Sequence, residues 1–370
     1  MFPKCKITEE RVKGYIDTVT PDMVTASLKV LKPEFSDFLN LLSPAAAQFI
    51  GEMRQRAAQI KKCHFGKTVR LYAPLYISNY CINSCEYCGF KNEVDFTRKR
   101  LNFEEVLREA EIIRSYGITS LLLVSGEDPR FINTDFLVKL VKELKKLFSY
   151  ISIEIAPMCE ADYKKLFDAG VHGLTLYQET YDRETYEKLH RKGPKSDYLK
   201  RLDFVEQGAK AGFYNIGLGA LLGLYDWRIE SVSMAAHALY LKKHYWRTKI
   251  AFSFPRITEI AGGFKVPNEL TETELEQMML AFRIFFQEAD LYISTRESRE
   301  FRQRVIRTCA SHISAASVVV PGGYYEAQKA DESSLEQFSL NDTRSVAEVA
   351  EDVRLAGMEP VFKDWDPCLG

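Results

Sequence analysis

From about residue 70 the chain alternates short runs rich in Val, Ile and Leu with amphipathic stretches of helical period. The apolar runs are VRLYAPLYIS (69–78), ITSLLLVSG (118–126), YISIEIAP (150–157), VHGLTLYQ (171–178), FYNIGLGALLG (213–223), KIAFSFP (249–255), LYISTRE (291–297) and HISAASVVV (312–320). Their length and β-branched content predict strands. The stretches between them predict helices. In NFEEVLREAEIIRSYG (102–117), Asn102 and Glu105 have the spacing of a capping box. Phe103, Val106, Leu107, Ala110 and Ile113 then form one apolar stripe that Gly117 ends.

Eight strands alternating with helices predict a parallel (β/α)8 TIM-type barrel, with an open doubly wound sheet as the rival. Residues 8–62 have helical patterns, including SPAAAQFIGEMRQRAAQIKKC with its Ser-Pro entry signal. A further helical pattern, TRSVAEVAEDVRLAG, follows PGGYYE. The expected division is therefore a helical extension over 1–68, the barrel over 69–320 and a C-terminal extension over 321–370.

Barrel enzymes carry their reactive groups at the C-terminal ends of the strands. The polar punctuation of this chain collects there. Three cysteines follow the first strand, Ser125-Gly126-Glu127 the second, YQET (177–180) the fourth and STRE (294–297) the seventh. Glu154 interrupts the otherwise apolar third strand, which is costly unless it faces a polar cavity.

Composition narrows the function classes. The hydrophobic fraction is 46%, the charged fraction 27% and the formal net charge −1, so no charge argument favours nucleic acid or an anionic membrane. The one dense basic run, TRKR (97–100), is expected to be a solvated loop. No stretch reaches the roughly 20 apolar residues of a membrane span. The N-terminal stretch lacks the apolar core of a signal peptide, so a cytoplasmic protein is expected.

The chain has eight cysteines, and SNYCINSCEYCGF (78–90) holds three of them: Cys81, Cys85 and Cys88. In a reducing compartment, clustered cysteines indicate metal or redox chemistry. A C-x3-C-x2-C loop can ligate three irons of a 4Fe-4S cluster and leave the fourth open to a small molecule. A zinc loop would need a fourth ligand, and no second Cys pair or spaced histidines supply it. An iron–sulfur electron carrier would normally close its cluster with four cysteines. Cys5, Cys63, Cys159 and Cys309 have no ligand spacing, and Cys368 is read as incidental. His172 and His312, on apolar strands, are expected to be satisfied core or cavity residues.

The cysteine motif is that of the radical S-adenosylmethionine enzymes. With it, PLYISNYCINSCEYCGF, YQETY, IGLGALLGLYDW, SFPRI, STRES and EQFS…KDWDPCLG resemble the tyrosine lyases of thiamine biosynthesis, the 2-iminoacetate synthases, from about residue 40 to the last residue. The resemblance implies a lyase that splits the Cα–Cβ bond of L-tyrosine into 2-iminoacetate and p-cresol. It implies that Cys81, Cys85 and Cys88 ligate the 4Fe-4S cluster and that S-adenosyl-L-methionine fills its open iron. Tyr87 would pack near the adenine, the backbone around Gly89 and Phe90 would read its edge, and the Ser125-Gly126-Glu127 turn would present Glu127 to the cofactor's ammonium. Glu154 would meet the ribose.

The substrate carboxylate calls for a cation, and Arg296 can meet it bidentately. Ser294 alternates onto the same strand face, with Tyr292 below it, and Ser314 is a second polar contact. Gln178 and Glu179 should face opposite ways, so one of them is expected to line the site. The stretch GLGALLGL resembles the family's adenine-supporting glycines, but small residues in a barrel strand also permit close packing. Implied partners are thiazole synthase and a flavodoxin- or ferredoxin-type reductant.

Two rivals share the cofactor. A hydrogenase maturase of this chemistry has a further cysteine triad in a longer C-terminal extension, whereas here only Cys368 follows Cys309. A tryptophan lyase would need the same carboxylate clamp. Spacing does not separate indole from phenol, and the quoted stretches favour tyrosine.

Overall fold

All eight expected strands form, and they close on themselves. The computed structural model describes residues 8–93, 97–257, 263–326 and 340–363. The strands are β1 (Thr68–Ser78), β2 (Ser120–Ser125), β3 (Tyr150–Glu154), β4 (Gly173–Thr175), β5 (Asn215–Gly219), β6 (Lys249–Ser253), β7 (Asp290–Ile293) and β8 (His312–Ser314). Each pairs in parallel with the next, and β1 pairs with both β2 and β8, which makes the (β/α)8 barrel rather than an open sheet.

The sequence reading missed a ninth strand. β9 (Glu359–Val361) lies parallel to Thr68–Arg70 of β1. Arg70 pairs with His312 on one edge and Val361 on the other, so β9 occupies the lower part of the edge that β2 uses higher up. Thr119, just before β2, donates through both its amide and its hydroxyl to the carbonyl of Phe362. A three-residue strand containing proline shows no alternation to read.

The helices follow their local signals. Asn102 and Glu105 form the capping box of helix Phe103–Ser115, which buries Val106, Ala110 and Ile113 against the barrel. The Ser-Pro signal at 43–44 opens a 3-10 turn, and the α-helix begins only at Ile50. The N-terminal helices pack on helix Glu272–Phe285. There Phe38 stacks on Phe285 and meets Phe282 edge-on, and Arg54 holds the buried Glu276. His172 and His312 are satisfied as expected: His172 accepts the amide of Ile151, and His312 stacks on Tyr292 and bonds Ser311. Among the described residues, no helix is long and apolar enough to cross a membrane.

Candidate active site

Alternation along the strands turns one set of side chains into the barrel. From β1 these are Tyr72, Pro74 and Tyr76, from β3 Glu154, from β6 Ser253, from β7 Tyr292 and from β8 Ser314. With Tyr177, Ser294 and Arg296 from the loops above, they line a cavity at the C-terminal ends of the strands. A second chamber is lined by Tyr87, Cys88, Glu179 and Lys195. The two chambers share Glu154, Tyr177, Pro255 and Arg296. The expected carboxylate clamp, Arg296, therefore stands in the wall common to the cysteine chamber and the barrel cavity.

The cysteine loop leaves β1 and is tied down on two sides. On one side Ile82 donates its amide to the carbonyl of Glu127, and Gly126 donates to that of Ser78. A Cβ on Gly126 would lie 2.2 Å from the carbonyl oxygen of Tyr80, so the turn after β2 can seat the loop only as glycine. On the other side the segment after helix Arg183–Leu189 runs antiparallel to the loop: Cys85 pairs with His190, and the amides of Ser84 and Glu86 donate to Lys192 and Leu189. The phenol of Tyr87 meets His190 Nε2 at 2.7 Å, while His190 Nδ1 lies 2.7 Å from the carbonyl of Tyr186.

The thiols suit a polynuclear cluster. Cys81, Cys85 and Cys88 are all free. The amide of Phe90 donates to Cys88 Sγ at 3.4 Å and Asn83 Nδ2 to Cys81 Sγ at 3.7 Å, contacts that stabilise sulfur carrying negative charge. Burial, then the neighbouring Cys81, push Cys88 up; burial does the same to Cys85. Among the described residues no three His, Cys, Asp or Glu side chains are grouped to hold a single metal ion. Three sulfurs spread around a cube of irons need not converge as zinc ligands do.

Charge is concentrated between the chambers. Burial, and then Glu179, raise the Glu154 carboxyl to about 7, against the pull of Arg296. Glu179 is also buried, but Lys195 at 2.6 Å and Arg201 at 3.6 Å outweigh burial and hold it below its ordinary value. Burial lowers the Arg296 guanidinium, with Tyr76, Tyr177 and Glu154 opposing. Its neighbour Glu297, the obvious alternative partner for Arg296, is instead held by Arg256 through two bonds of 3.1 and 2.5 Å.

The other expected residues fall as follows. β7 stops at Ile293, so Ser294 and Arg296 reach the cavity from the loop and not by strand alternation, a correction to the sequence reading. Ser294 Oγ accepts the amide of Arg296 at 3.4 Å. Ser314 Oγ accepts the amide of Thr295 at 3.1 Å and bonds the phenol of Tyr72. Of the YQET pair, Glu179 lines the cysteine chamber, while Gln178 turns away to the carbonyl of Tyr198. Glu127 accepts from Arg201 at 2.9 Å and lines a neighbouring cavity with Ala156, Lys195 and Arg201. Beside it, the Ser125 hydroxyl is buried with no partner among the described residues. Phe90 packs edge-on against Tyr76. In the glycine-rich stretch, a Cβ on Gly219 would lie 2.5 Å from the ring of Tyr177, so that glycine makes room for an aromatic wall of the site. Cys5, Cys368 and EQFS lie outside the described residues, as does all but Lys363 of KDWDPCLG.

Sequence reasoning missed Lys195, Arg201, His190, Tyr177 and Ser253. Lys195 sits in the polar loop RKGPKS, where nothing distinguishes it from a solvated lysine. The non-glycine residues with positive φ among those described, Glu179 (71°) and Ala316 (48°), both stand at this end of the barrel. Strain of this kind collects at functional sites.

Comparison with known proteins adds to this geometry. The family model "Radical SAM superfamily" matches residues 75–237, and "Biotin and Thiamin Synthesis associated domain" matches 253–359. The 2-iminoacetate synthase of Escherichia coli (strain K12) is 41% identical over 335 residues, covering 90% of this chain and 88% of that protein. The solved structure of HydG, a maturase of the FeFe-hydrogenase, superposes with a TM-score of 0.90 at 30% identity, over 98% of this chain and 81% of that one. HydG from Carboxydothermus hydrogenoformans gives 0.88 at 30% identity, over 96% and 84%.

Proposed function

The chain belongs to the 2-iminoacetate synthases of the radical S-adenosylmethionine superfamily, and from that premise we infer that it is a carbon–carbon lyase acting on L-tyrosine. It cleaves the Cα–Cβ bond to give 2-iminoacetate and p-cresol, with 5′-deoxyadenosine and methionine formed alongside, and it serves thiamine thiazole synthesis. The observation that carries this reading is the pair of chambers meeting at Glu154, Tyr177, Pro255 and Arg296, one lined by Cys88 and the other by Tyr72, Tyr76, Tyr292 and the apolar Leu122, Val124 and Val319.

When bound, the 4Fe-4S cluster and S-adenosylmethionine would supply one-electron radical chemistry on reduction. The protein's task is to position and to exclude water. Cys81, Cys85 and Cys88 would hold the cluster, and the anchored loop fixes their spacing. Tyr87, oriented by His190, would flank the adenine, and the backbone of Gly89 and Phe90 would read its edge. The Ser125-Gly126-Glu127 turn would receive the cofactor's ammonium end. Glu154, in the shared wall, would take the ribose; with its carboxyl raised to about 7 it can donate as well as accept. Arg296 binds the substrate carboxylate, and Ser294 steadies the loop that carries it.

The imine product hydrolyses in water, which favours direct transfer to thiazole synthase, and a flavodoxin- or ferredoxin-type protein supplies the electron. A reducing cytoplasm suits both.

One anaerobic assay tests the reading. Reconstituted, reduced enzyme is given S-adenosylmethionine with tyrosine or tryptophan in parallel, and 5′-deoxyadenosine, p-cresol and glyoxylate are measured. Tyrosine-dependent p-cresol with glyoxylate establishes the lyase. Deoxyadenosine without p-cresol sinks the substrate assignment but keeps the radical chemistry. Sedimentation with thiazole synthase tests the partnership, which fails if the two do not associate at cellular concentrations.

A further inference from the structure

Ser317 lines the larger chamber with a hydroxyl that is buried and has no hydrogen-bond partner among the described residues. Neighbouring hydroxyls are already engaged with protein. The phenol of Tyr72 bonds Ser314, which also accepts from the amide of Thr295. Tyr177 bonds Ser253, and Ser294 accepts the amide of Arg296. Leaving a buried hydroxyl unpaired is unfavourable, so one that faces a cavity marks where a ligand atom completes the bond.

The backbone aims Ser317 there. Ser314 faces the chamber, and plain alternation would turn residue 316 inward and residue 317 outward. Ala316 instead takes a left-handed φ of 48°. The parity slips by one, so that Ser317 and Val319 line the chamber while Val318 pairs with Leu75. Tyr324 locks the slip, accepting the amide of Val318 and donating to the carbonyl of Pro74 at 2.8 Å. A local irregularity that re-aims one side chain is a device for building sites.

Pro74, Leu122, Val124 and Val319 line the same chamber. Such apolar side chains accept an aromatic ring and a single neutral hydroxyl, whereas a carboxylate needs a cation such as Arg296. We propose that Ser317 binds the phenolic hydroxyl of the substrate and so separates tyrosine from phenylalanine and tryptophan. The proposal rests on the tyrosine reading above. A site built to hydrogen-bond a substrate hydroxyl rejects the analogue lacking it far more strongly than an apolar pocket rejects a small change of shape.

The test is equilibrium titration of unreduced holoenzyme, saturated with S-adenosylmethionine, with L-tyrosine and with L-phenylalanine. Ser317→Ala is expected to weaken tyrosine about tenfold while phenylalanine stays within about twofold, and Ser317→Thr, which keeps the hydroxyl, to recover most of the loss. In turnover the KM for tyrosine rises more than kcat falls. Equal weakening of both amino acids, or no change in either, overturns the proposal. So does a wild-type enzyme that binds phenylalanine as tightly as tyrosine, and p-cresol formation would then leave the lyase assignment standing. Failure of wild-type enzyme to make p-cresol from tyrosine would overturn that assignment and the role of Ser317 together.

Discussion

The ammonium of Lys195 lies 2.6 Å from Glu179 Oε1, with Arg201 at 3.6 Å from the same oxygen and all three side chains nearly shielded from solvent. The backbone amide of Lys195 also donates to Asn83 in the cysteine loop at 2.9 Å. One residue thus compensates a buried carboxylate and pins the cysteine loop.

Lys195→Met leaves Glu179 with only the more distant Arg201. Breaking a buried pair by removing one partner costs about 3–5 kcal/mol, and the remaining guanidinium places this case at the lower end. Urea unfolding would measure it; an unchanged midpoint would refute the role. The pair also predicts acid sensitivity. Glu179 titrates below its ordinary 4.5 in the folded protein, so its stabilisation is present above that pH and is lost as pH falls through the lowered value.

Glu154 predicts the opposite dependence. Its folded carboxyl is raised from 4.5 to about 7, so the protonated form is the one the fold favours. Stability is fully present below about pH 4.5 and declines as pH rises through 7. Glu154→Gln should flatten the thermal-melting profile over that window in the ligand-free protein. An identical slope in the variant would remove Glu154 as the cause.

Arg296→Lys keeps the charge and loses the two-pronged geometry. Tyrosine-dependent p-cresol formation should fall at least about a hundredfold in kcat/KM, in line with losing a charge-assisted pair at a buried site. Binding of S-adenosylmethionine, read from its perturbation of the reduced cluster's electron paramagnetic resonance signal, should persist. Loss of both would make Arg296 a structural residue.

Gly126→Ala puts a methyl 2.2 Å from the Tyr80 carbonyl and 3.3 Å from Cys81 Cβ. Backbone cannot yield there as a side-chain end can, and overpacking of this kind costs about 1–3 kcal/mol. Iron and sulfide content after reconstitution should drop, with the barrel's far-ultraviolet circular dichroism retained. Full cluster loading would show that the turn does not seat the loop.

Ala316→Gly and Ala316→Val separate strain from function. Glycine adopts φ near 48° freely but enlarges the unfolded ensemble, so stability should stay within about 1 kcal/mol of wild type. A β-branched valine in the left-handed region should cost about 1–3 kcal/mol and weaken tyrosine binding by misdirecting Ser317. Equal behaviour of the two variants, judged by melting and by titration, would argue against the kink.

Much of this protein follows from short-range pattern. The eight barrel strands, the capping box of Asn102 and Glu105, and the close spacing of Cys81, Cys85 and Cys88 each depend on residues within a turn or a strand of one another, and local sequence determines them. The approach of Lys195 to Glu179, the pairing of His190 with Tyr87, the choice of Glu179 over Gln178 and the inward turn of Ser317 were decided only in three dimensions. So was β9, which completes an edge of β1 from nearly 300 residues away (Thr68 to Glu359). The reason is physical. A period reports which face of its own element a residue occupies, whereas a buried ion pair or an unpaired hydroxyl depends on which other element closes over it and on a single backbone angle that no period records.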